Sequence, residues 1–202
     1  MKVMKLFSVA CCLAAVCLTS CIGDDESDYK SLTQAEIAQC LNAVRGTHQG
    51  KCIYLAPTVK DVNNTDSVDI SWTISTDSTM TIHDFPVKLL AQNIDSINGK
   101  EIRNALMEAG EQDIECLIGF MALQPVQWLI NPKAATFDVK TSDGTHKVKV
   151  LFWANNNYSS GVYSQSQNEM SMEIIEGLIY MDDKTTAYLS KDTLFLFKRN
   201  KK

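Results

Sequence analysis

The clearest pattern in the chain is a strict alternation of polar and apolar residues over residues 67–75, where the apolar positions are Val68, Ile70, Trp72 and Ile74. Successive side chains of a strand point to opposite faces, so this period of two predicts a strand with one buried face and one wet face. Shorter stretches with the same period occur at residues 80–82, 137–139, 147–152 and 170–174, and the apolar residues 193–197 are expected to form a last strand. Together they predict a series of roughly eight to ten strands.

Helical spacing interrupts the strand pattern in three places. A capping box begins at Thr33 and precedes apolar residues three and four apart, which predicts a helix over residues 33–44. Pro86 can begin a second, short helix, and a third is expected between Asn98 and Gly110. We therefore expect one N-terminal helix and one or two short central helices.

The fold class that follows is mainly β, with an antiparallel sheet. Turn residues such as Ser142-Asp143-Gly144 separate neighbouring strands, which indicates hairpin connections. Such a sheet must hide its edges, for example by closing into a lipocalin-like barrel, our first expectation, or by folding into a sandwich. Gly177 is expected to mark a bulge or bend. Residues 31–202 contain neither a visible repeat nor a linker, so we expect a single β-rich domain.

The first twenty residues have the features of a secretory signal sequence. Lys2 and Lys5 form a basic region, and the apolar run at residues 6–16 is too short to span a bilayer. The sequence Leu-Thr-Ser-Cys that ends at Cys21 resembles a bacterial lipobox, in which the cysteine sulfur receives lipid and the mature chain begins at that cysteine. Residues 1–20 are therefore predicted to be a lipoprotein signal peptide. The acyl chains on Cys21 would each contribute about 0.8 kcal/mol per buried CH₂ to membrane attachment.

Residues 21–30 follow as an acidic tether that contains four of the 24 acidic residues of the chain. Like charges repel one another and resist packing, so this run is typical of a solvated linker. It also resembles the acidic export signal of Bacteroidota lipoproteins that reach the outer face of the outer membrane. We expect a lipid-anchored outer-membrane protein displayed at the cell surface, with the periplasmic face as the alternative.

Four longer motifs resemble an uncharacterised lipoprotein family of Bacteroidales, which is a domain of unknown function. The motifs lie at residues 46–51, 68–72, 84–91 and 152–159. The resemblance covers nearly the whole mature chain. It implies a secreted, lipid-anchored domain, and it carries over no catalytic residue.

The sequence contains no recognised catalytic motif, metal-binding motif or cofactor fingerprint. The histidines His48, His83 and His146 belong to no metal-ligand pattern, so we interpret them as structural or solvated. The adjacent Asp182 and Asp183 are interpreted as a solvated turn, because the side chains of neighbouring residues diverge. We therefore expect no enzymatic activity, no cofactor and no metal. The net charge of −5 argues against a nucleic-acid partner.

Three of the seven cysteines, Cys40, Cys52 and Cys116, lie within the predicted domain. An oxidising compartment would permit one disulfide, for which Cys40 and Cys52 are the preferred pair because a short loop separates them. We nevertheless favour three buried free thiols, since a free cysteine behaves as a small apolar side chain.

Four sites resemble the O-glycosylation sequon of Bacteroidota, in which Asp is followed by Ser or Thr and then by a methyl-bearing residue. The acceptors would be Ser67, Ser78, Ser96 and Thr193. About one such match is expected by chance at this composition. The intact mass of the native protein tests this prediction, because a mass without added sugar would contradict glycosylation.

The aromatic residues have two interpretations: in a barrel they can line a ligand cavity, and in either fold they can fill the core, which we favour. Residues 155–167 are rich in Asn, Ser, Tyr and Gln, which suit contacts with glycans or proteins, and an ordinary strand edge and turn is an equal alternative for this segment. The leading hypothesis is a surface-exposed binding domain for a glycan, lipid or protein, attached to the membrane by its lipid anchor. The alternatives are a structural or envelope-maintenance lipoprotein without a small-molecule ligand and, less favoured, an unrecognised hydrolase.

Overall fold

The computed structural model describes residues 31–55, 64–154 and 158–201. The predicted signal peptide and the whole acidic tether, with Cys21, lie outside these residues. Within them the chain forms two α-helices and one 3-10 helix, namely α1 Gln34–Val44, the 3-10 helix Val87–Ala91 and α2 Lys100–Glu108. The described residues also form the strands β1 Gly46–Leu55, β2 Thr65–Ile74, β3 Thr79–Pro86, β4 Glu111–Leu123, β5 Val126–Pro132, β6 Ala135–Thr141, β7 Gly144–Trp153, β8 Ser160–Ser164, β9 Glu169–Met181, β10 Lys184–Thr185 and β11 Thr193–Arg199.

Eight of the strands close into an antiparallel barrel in which each barrel strand pairs with the next one along the chain. Their order is β1, β2, β3, β4, β5, β8, β9 and β11, and β11 returns to pair with β1. The closing pair places Cys52 opposite Phe197, so the two ends of the domain share one wall. The predicted mainly β fold and antiparallel barrel are confirmed, and the sandwich alternative is wrong.

Large aromatic side chains fill the barrel. Five of them are less than 2% exposed, namely Trp72, Trp128, Phe85, Phe195 and Phe197. Gly161 makes room for the Trp128 ring, because a Cβ atom at residue 161 would lie 2.1 Å from Cε2 of the indole. Close packing of this kind is the normal state of a protein core, and it matches the favoured interpretation of the aromatic residues as core.

Helix α1 packs against β4 at one end of the barrel. Its predicted capping box is present, because the Thr33 hydroxyl accepts a hydrogen bond from the Glu36 N–H while the Glu36 carboxylate accepts one from the Thr33 N–H. The buried thiol of Cys40 donates to the carbonyl oxygen of Ala122 in β4. The helix predicted over residues 33–44 is therefore confirmed.

The segment after β3 lies at the opposite end of the barrel. The 3-10 helix buries four of its five residues, and α2 packs against it. The helix expected from Pro86 is shorter than its apolar spacing suggested, because the chain becomes extended again at Ile94, which forms a β-bridge with Leu189. The second central helix is present as α2, and it ends before Gly110, whose φ of 76° suits glycine.

Strand β9 runs past the barrel and contains a bulge at Gly177. Its first part pairs with β8 and its second part with β7, so the β6–β7 hairpin extends the sheet beyond the barrel. The pairing of Leu151 with Leu178 and of Phe152 with Glu176 leaves Gly177 as the extra residue. The predicted bulge is therefore confirmed, and it lies where β9 changes partners.

Candidate functional site

A glutamate is buried next to this bulge. Glu176 continues the series of inward positions that begins at Met170, and it has no solvent exposure. Its backbone lies opposite Thr193 of β11 and Phe152 of β7. Neither of its carboxyl oxygens has a hydrogen-bond partner among the described residues. A buried carboxyl group without a partner is costly in its charged form, so this environment favours the protonated, neutral side chain.

Burial raises the pKa of Glu176 to about 8, because the surrounding protein cannot solvate the carboxylate. The nearby hydroxyl of Thr193 opposes this rise in pKa, although the two groups fall outside normal hydrogen-bond geometry. The negative charge of Asp192 adds to the rise. At neutral pH the Glu176 side chain is therefore mostly an uncharged carboxylic acid.

A hydrogen bond joins Asn93, which follows the 3-10 helix, to Thr193, the neighbour of Glu176. The Asn93 side-chain amide donates to Thr193 Oγ1 at 2.8 Å. The backbone N–H and the hydroxyl of Ser190 both donate to the carbonyl oxygen of Asn93, at 2.9 Å and 2.7 Å. The Oε1 atom of Gln92 is buried without a partner in the described part of the chain. These bonds fasten the end of the 3-10 segment to the start of β11.

Two aromatic rings and a carboxylate lie together on the outer side of the bulge. The Trp153 ring lies against Gly177, since a Cβ atom there would be 2.3 Å from both Cε2 and Nε1 of the indole. Trp153 Nε1 donates to Asp192 Oδ2 at 3.0 Å. The ring of Tyr158, a residue that is 42% exposed, has its centroid 6.2 Å from that of Trp153 and is tilted by 39°. We call Trp153, Tyr158 and Asp192 the aromatic face.

The buried acid and the aromatic face suit different chemistry, although Asp192 and Thr193 connect them. Glu176 has no exposed atom, so a substrate cannot reach it in this conformation, as a general acid or base would require. The aromatic face, by contrast, offers an accessible ring surface beside a hydrogen-bond acceptor. The arrangement therefore suits binding better than catalysis.

Two of the three histidines stabilise pairs of strands or turns. His83 Nδ1 lies 3.3 Å from the carboxylate of Asp113. His146 lies between the carboxylates of Asp182, at 2.6 Å, and Asp143, at 3.1 Å, and these hydrogen bonds raise its pKa. Such contacts fit the structural interpretation of these residues. The turn at Asp182 was predicted to be solvated only. Its carboxylate also holds the turn against β7 through the hydrogen bond with His146.

The three internal cysteines are buried free thiols, so the disulfide considered between Cys40 and Cys52 is not present in the structure. The Cys40 thiol donates to a carbonyl oxygen of β4, whereas Cys52 lies within the barrel wall on β1. Burial raises the pKa of both thiols and raises that of Cys116 to about 12. All three should therefore stay protonated and unreactive at neutral pH.

We expect these thiols to react only after the protein unfolds. At pH 8 the folded mature chain with Cys21→Ala should show almost no reaction with dithionitrobenzoate, because the reactive thiolate is scarce and inaccessible. In denaturant without reductant, the three thiols should all be titrated. A titration of only one thiol under those conditions would show that a disulfide forms after all.

Three of the four predicted glycan acceptors, Ser67, Ser78 and Ser96, are exposed. Thr193 is only 3% exposed, and its hydroxyl accepts the hydrogen bond from Asn93. A glycan on Thr193 would require the start of β11 to open, so Thr193 is not a suitable acceptor in the folded domain. Glycosylation at the three serines stays a prediction.

Glu176 is not among the candidate functional residues predicted from the sequence, although its position in the strand pattern is unusual. It is a charged residue at an inward position of the alternation that begins at Met170. The aromatic face is only partly visible in the sequence. Tyr158 belongs to the predicted contact segment at residues 155–167, of which residues 155–157 lie outside the described part, but its contact with Trp153 depends on the fold.

Comparison with known proteins places the chain in a family. In the described part of the chain, no helix is long and apolar enough to span a membrane, and no three His, Cys, Asp or Glu side chains are grouped as a metal site. No curated protein and no solved structure is significantly similar to the chain. Residues 43–181, which include Trp153, Tyr158 and Glu176, match the family described as "Domain of unknown function (DUF4840)". Because this match covers more than half of its length, the chain belongs to the DUF4840 family.

Proposed function

We propose that this protein is a lipoprotein of the bacterial cell envelope whose barrel binds a ligand at the cell surface. The envelope role is supported by the signal-like residues 1–20, by the lipobox that ends at Cys21 and by the acidic tether at 21–30. The resemblance to lipoproteins of Bacteroidales supports it as well. The outer membrane would then be a permanent partner through the lipid anchor, with the outer face favoured over the periplasmic face.

The main support for a binding role is the aromatic face, which lies on the outside of a well-packed barrel. The interior is filled by buried aromatic side chains, which disfavours a large ligand there. Trp153 and Tyr158 instead lie on the outer side of β7 and next to β8, with Tyr158 well exposed. Binding residues are often held on the surface of a rigid scaffold in this way. We therefore place the ligand outside the barrel.

A structural or envelope-maintenance lipoprotein without a small-molecule ligand is the second candidate. The filled interior favours it, because a domain that holds no ligand inside can serve as a spacer or as a contact surface. A hydrolase is the least supported candidate, since the buried acid Glu176 has no exposed atom.

The anchor is tested by metabolic labelling of bacteria that produce the full chain. We expect the wild-type protein to incorporate a labelled palmitate and the Cys21→Ala variant to incorporate none, because the acceptor sulfur is gone. Cys40→Ala is the matched control, since it removes an internal thiol and should keep the label. Protease added to intact cells should digest the wild-type protein if it faces outward. A wild-type protein without label would contradict the proposal.

A further inference from the structure

We infer that the aromatic face, formed by Trp153, Tyr158 and Asp192, is a binding site for a neutral saccharide. This inference rests on the proposed binding function and names the class of ligand. The three residues come from the end of β7, from the residues before β8 and from the residue before β11, so the fold brings together parts of the chain that are distant in sequence.

Trp153 forms a fixed platform. Phe152 is buried on the inner side of β7, so Trp153 lies on the outer side. Its indole ring lies against Gly177, and the hydrogen bond from Nε1 to Asp192 restricts its rotation. Because one side of the ring contacts the backbone, the other side is turned away from the sheet. A platform that is already ordered loses little conformational entropy when it binds a ligand.

Tyr158 extends this platform. The centroid distance of 6.2 Å and the tilt of 39° between the two rings are too large for face-to-face stacking. The two rings are therefore neighbours set at an angle, and Tyr158 is the more exposed of them at 42%, while Trp153 is half-buried. Tyrosine and tryptophan offer large, rigid contact areas with polar groups at the edge, which are properties of binding surfaces.

The combination of rings and carboxylate matches the chemistry of a sugar. A pyranose has a face of C–H groups that can lie on an aromatic ring, and a rim of hydroxyl groups that donate hydrogen bonds. Asp192 uses Oδ2 to accept from Trp153, and a carboxylate has about four acceptor positions, so it can also accept from sugar hydroxyls. Its negative charge would repel acidic sugars, so the expected ligand is neutral.

The inference is tested by affinity electrophoresis of the mature chain with Cys21→Ala. The gels contain soluble starch, xylan, galactomannan, hydroxyethyl cellulose or dextran as neutral polysaccharides, and polygalacturonate as the acidic one. We expect at least one neutral polysaccharide to slow the protein, and polygalacturonate to leave its migration unchanged. Circular dichroism checks that every variant is folded.

The variants distinguish this face from other surfaces. Tyr158→Ala and Asp192→Asn should each weaken the retardation about tenfold, and the asparagine can still accept the hydrogen bond from Trp153. Leu117→Ala is the control, because this side chain is 50% exposed on β4 and lies outside the aromatic face. Unchanged migration in every neutral gel overturns the inference, as does retardation that both variants retain. The palmitate experiment does not depend on either result, so failure of the saccharide site and failure of the anchor can be told apart.

Discussion

Replacing Glu176 with glutamine is expected to make the domain more stable at neutral pH and to remove much of its pH dependence. The pKa of Glu176 is about 8 in the folded chain, against 4.5 for an ordinary glutamate. The folded state therefore retains a proton that the unfolded state releases, so the free energy of unfolding falls as pH rises from about 4.5 to about 8. At about 1.4 kcal/mol per pH unit, this loss reaches roughly 3 kcal/mol by pH 7. Glutamine has a similar shape and does not titrate.

Urea denaturation of wild type and Glu176→Gln at several pH values between 4.5 and 8 measures this effect. The difference in unfolding free energy between the two proteins should grow by about 3 kcal/mol from pH 4.5 to pH 7. Glu111→Gln is the control, because Glu111 is an exposed carboxylate at the start of β4. If the unfolding free energies of wild type and Glu176→Gln change with pH in parallel, burial does not raise the pKa of Glu176, and the account of this residue is wrong.

Substitution of Gly161 with alanine should destabilise the barrel strongly, by about 3 kcal/mol. The added Cβ atom would lie 2.1 Å from Cε2 and 2.2 Å from Cζ2 of Trp128. The Trp128 side chain is fully buried, so its ring cannot move aside without disturbing the surrounding core. The midpoint of urea denaturation should fall accordingly.

Gly119→Ala is the matched control for this prediction. Gly119 also lies in a barrel strand, β4, but a Cβ atom there would have no heavy atom within 4 Å in the structure. Alanine should therefore be neutral there or stabilising by about 0.5 kcal/mol, because it reduces the freedom of the unfolded chain. Equal stabilities for the two variants would mean that Trp128 does not pack on Gly161.

The sequence was most informative where one periodicity was strong and local. The alternation at residues 67–75 became β2, with Trp72 and Ile74 buried as expected. The capping box became the start of α1, and Gly177 became the bulge of β9. These features depend on residues close together in the chain, so their pattern suffices to predict them.

Closure of the barrel could not be derived from local pattern, because it depends on the pairing of β1 with β11 at opposite ends of the domain. The same limit applies to the functional site. Trp153 and Asp192 are 39 residues apart, and their hydrogen bond exists because β7 and β11 both pair with β9. The position of Glu176 likewise depends on distant parts of the chain, because it lies opposite Thr193 of β11 and Phe152 of β7.

Mass spectrometry of the N-terminal peptide of the mature protein, purified from membranes of the native cell, tests the central proposal of a lipid-anchored envelope protein most directly. We predict that the mature chain begins at Cys21 and that this residue carries a diacylglyceryl group, usually with an additional N-acyl chain. A mature chain that begins at another residue, or a Cys21 without lipid, would contradict the proposal.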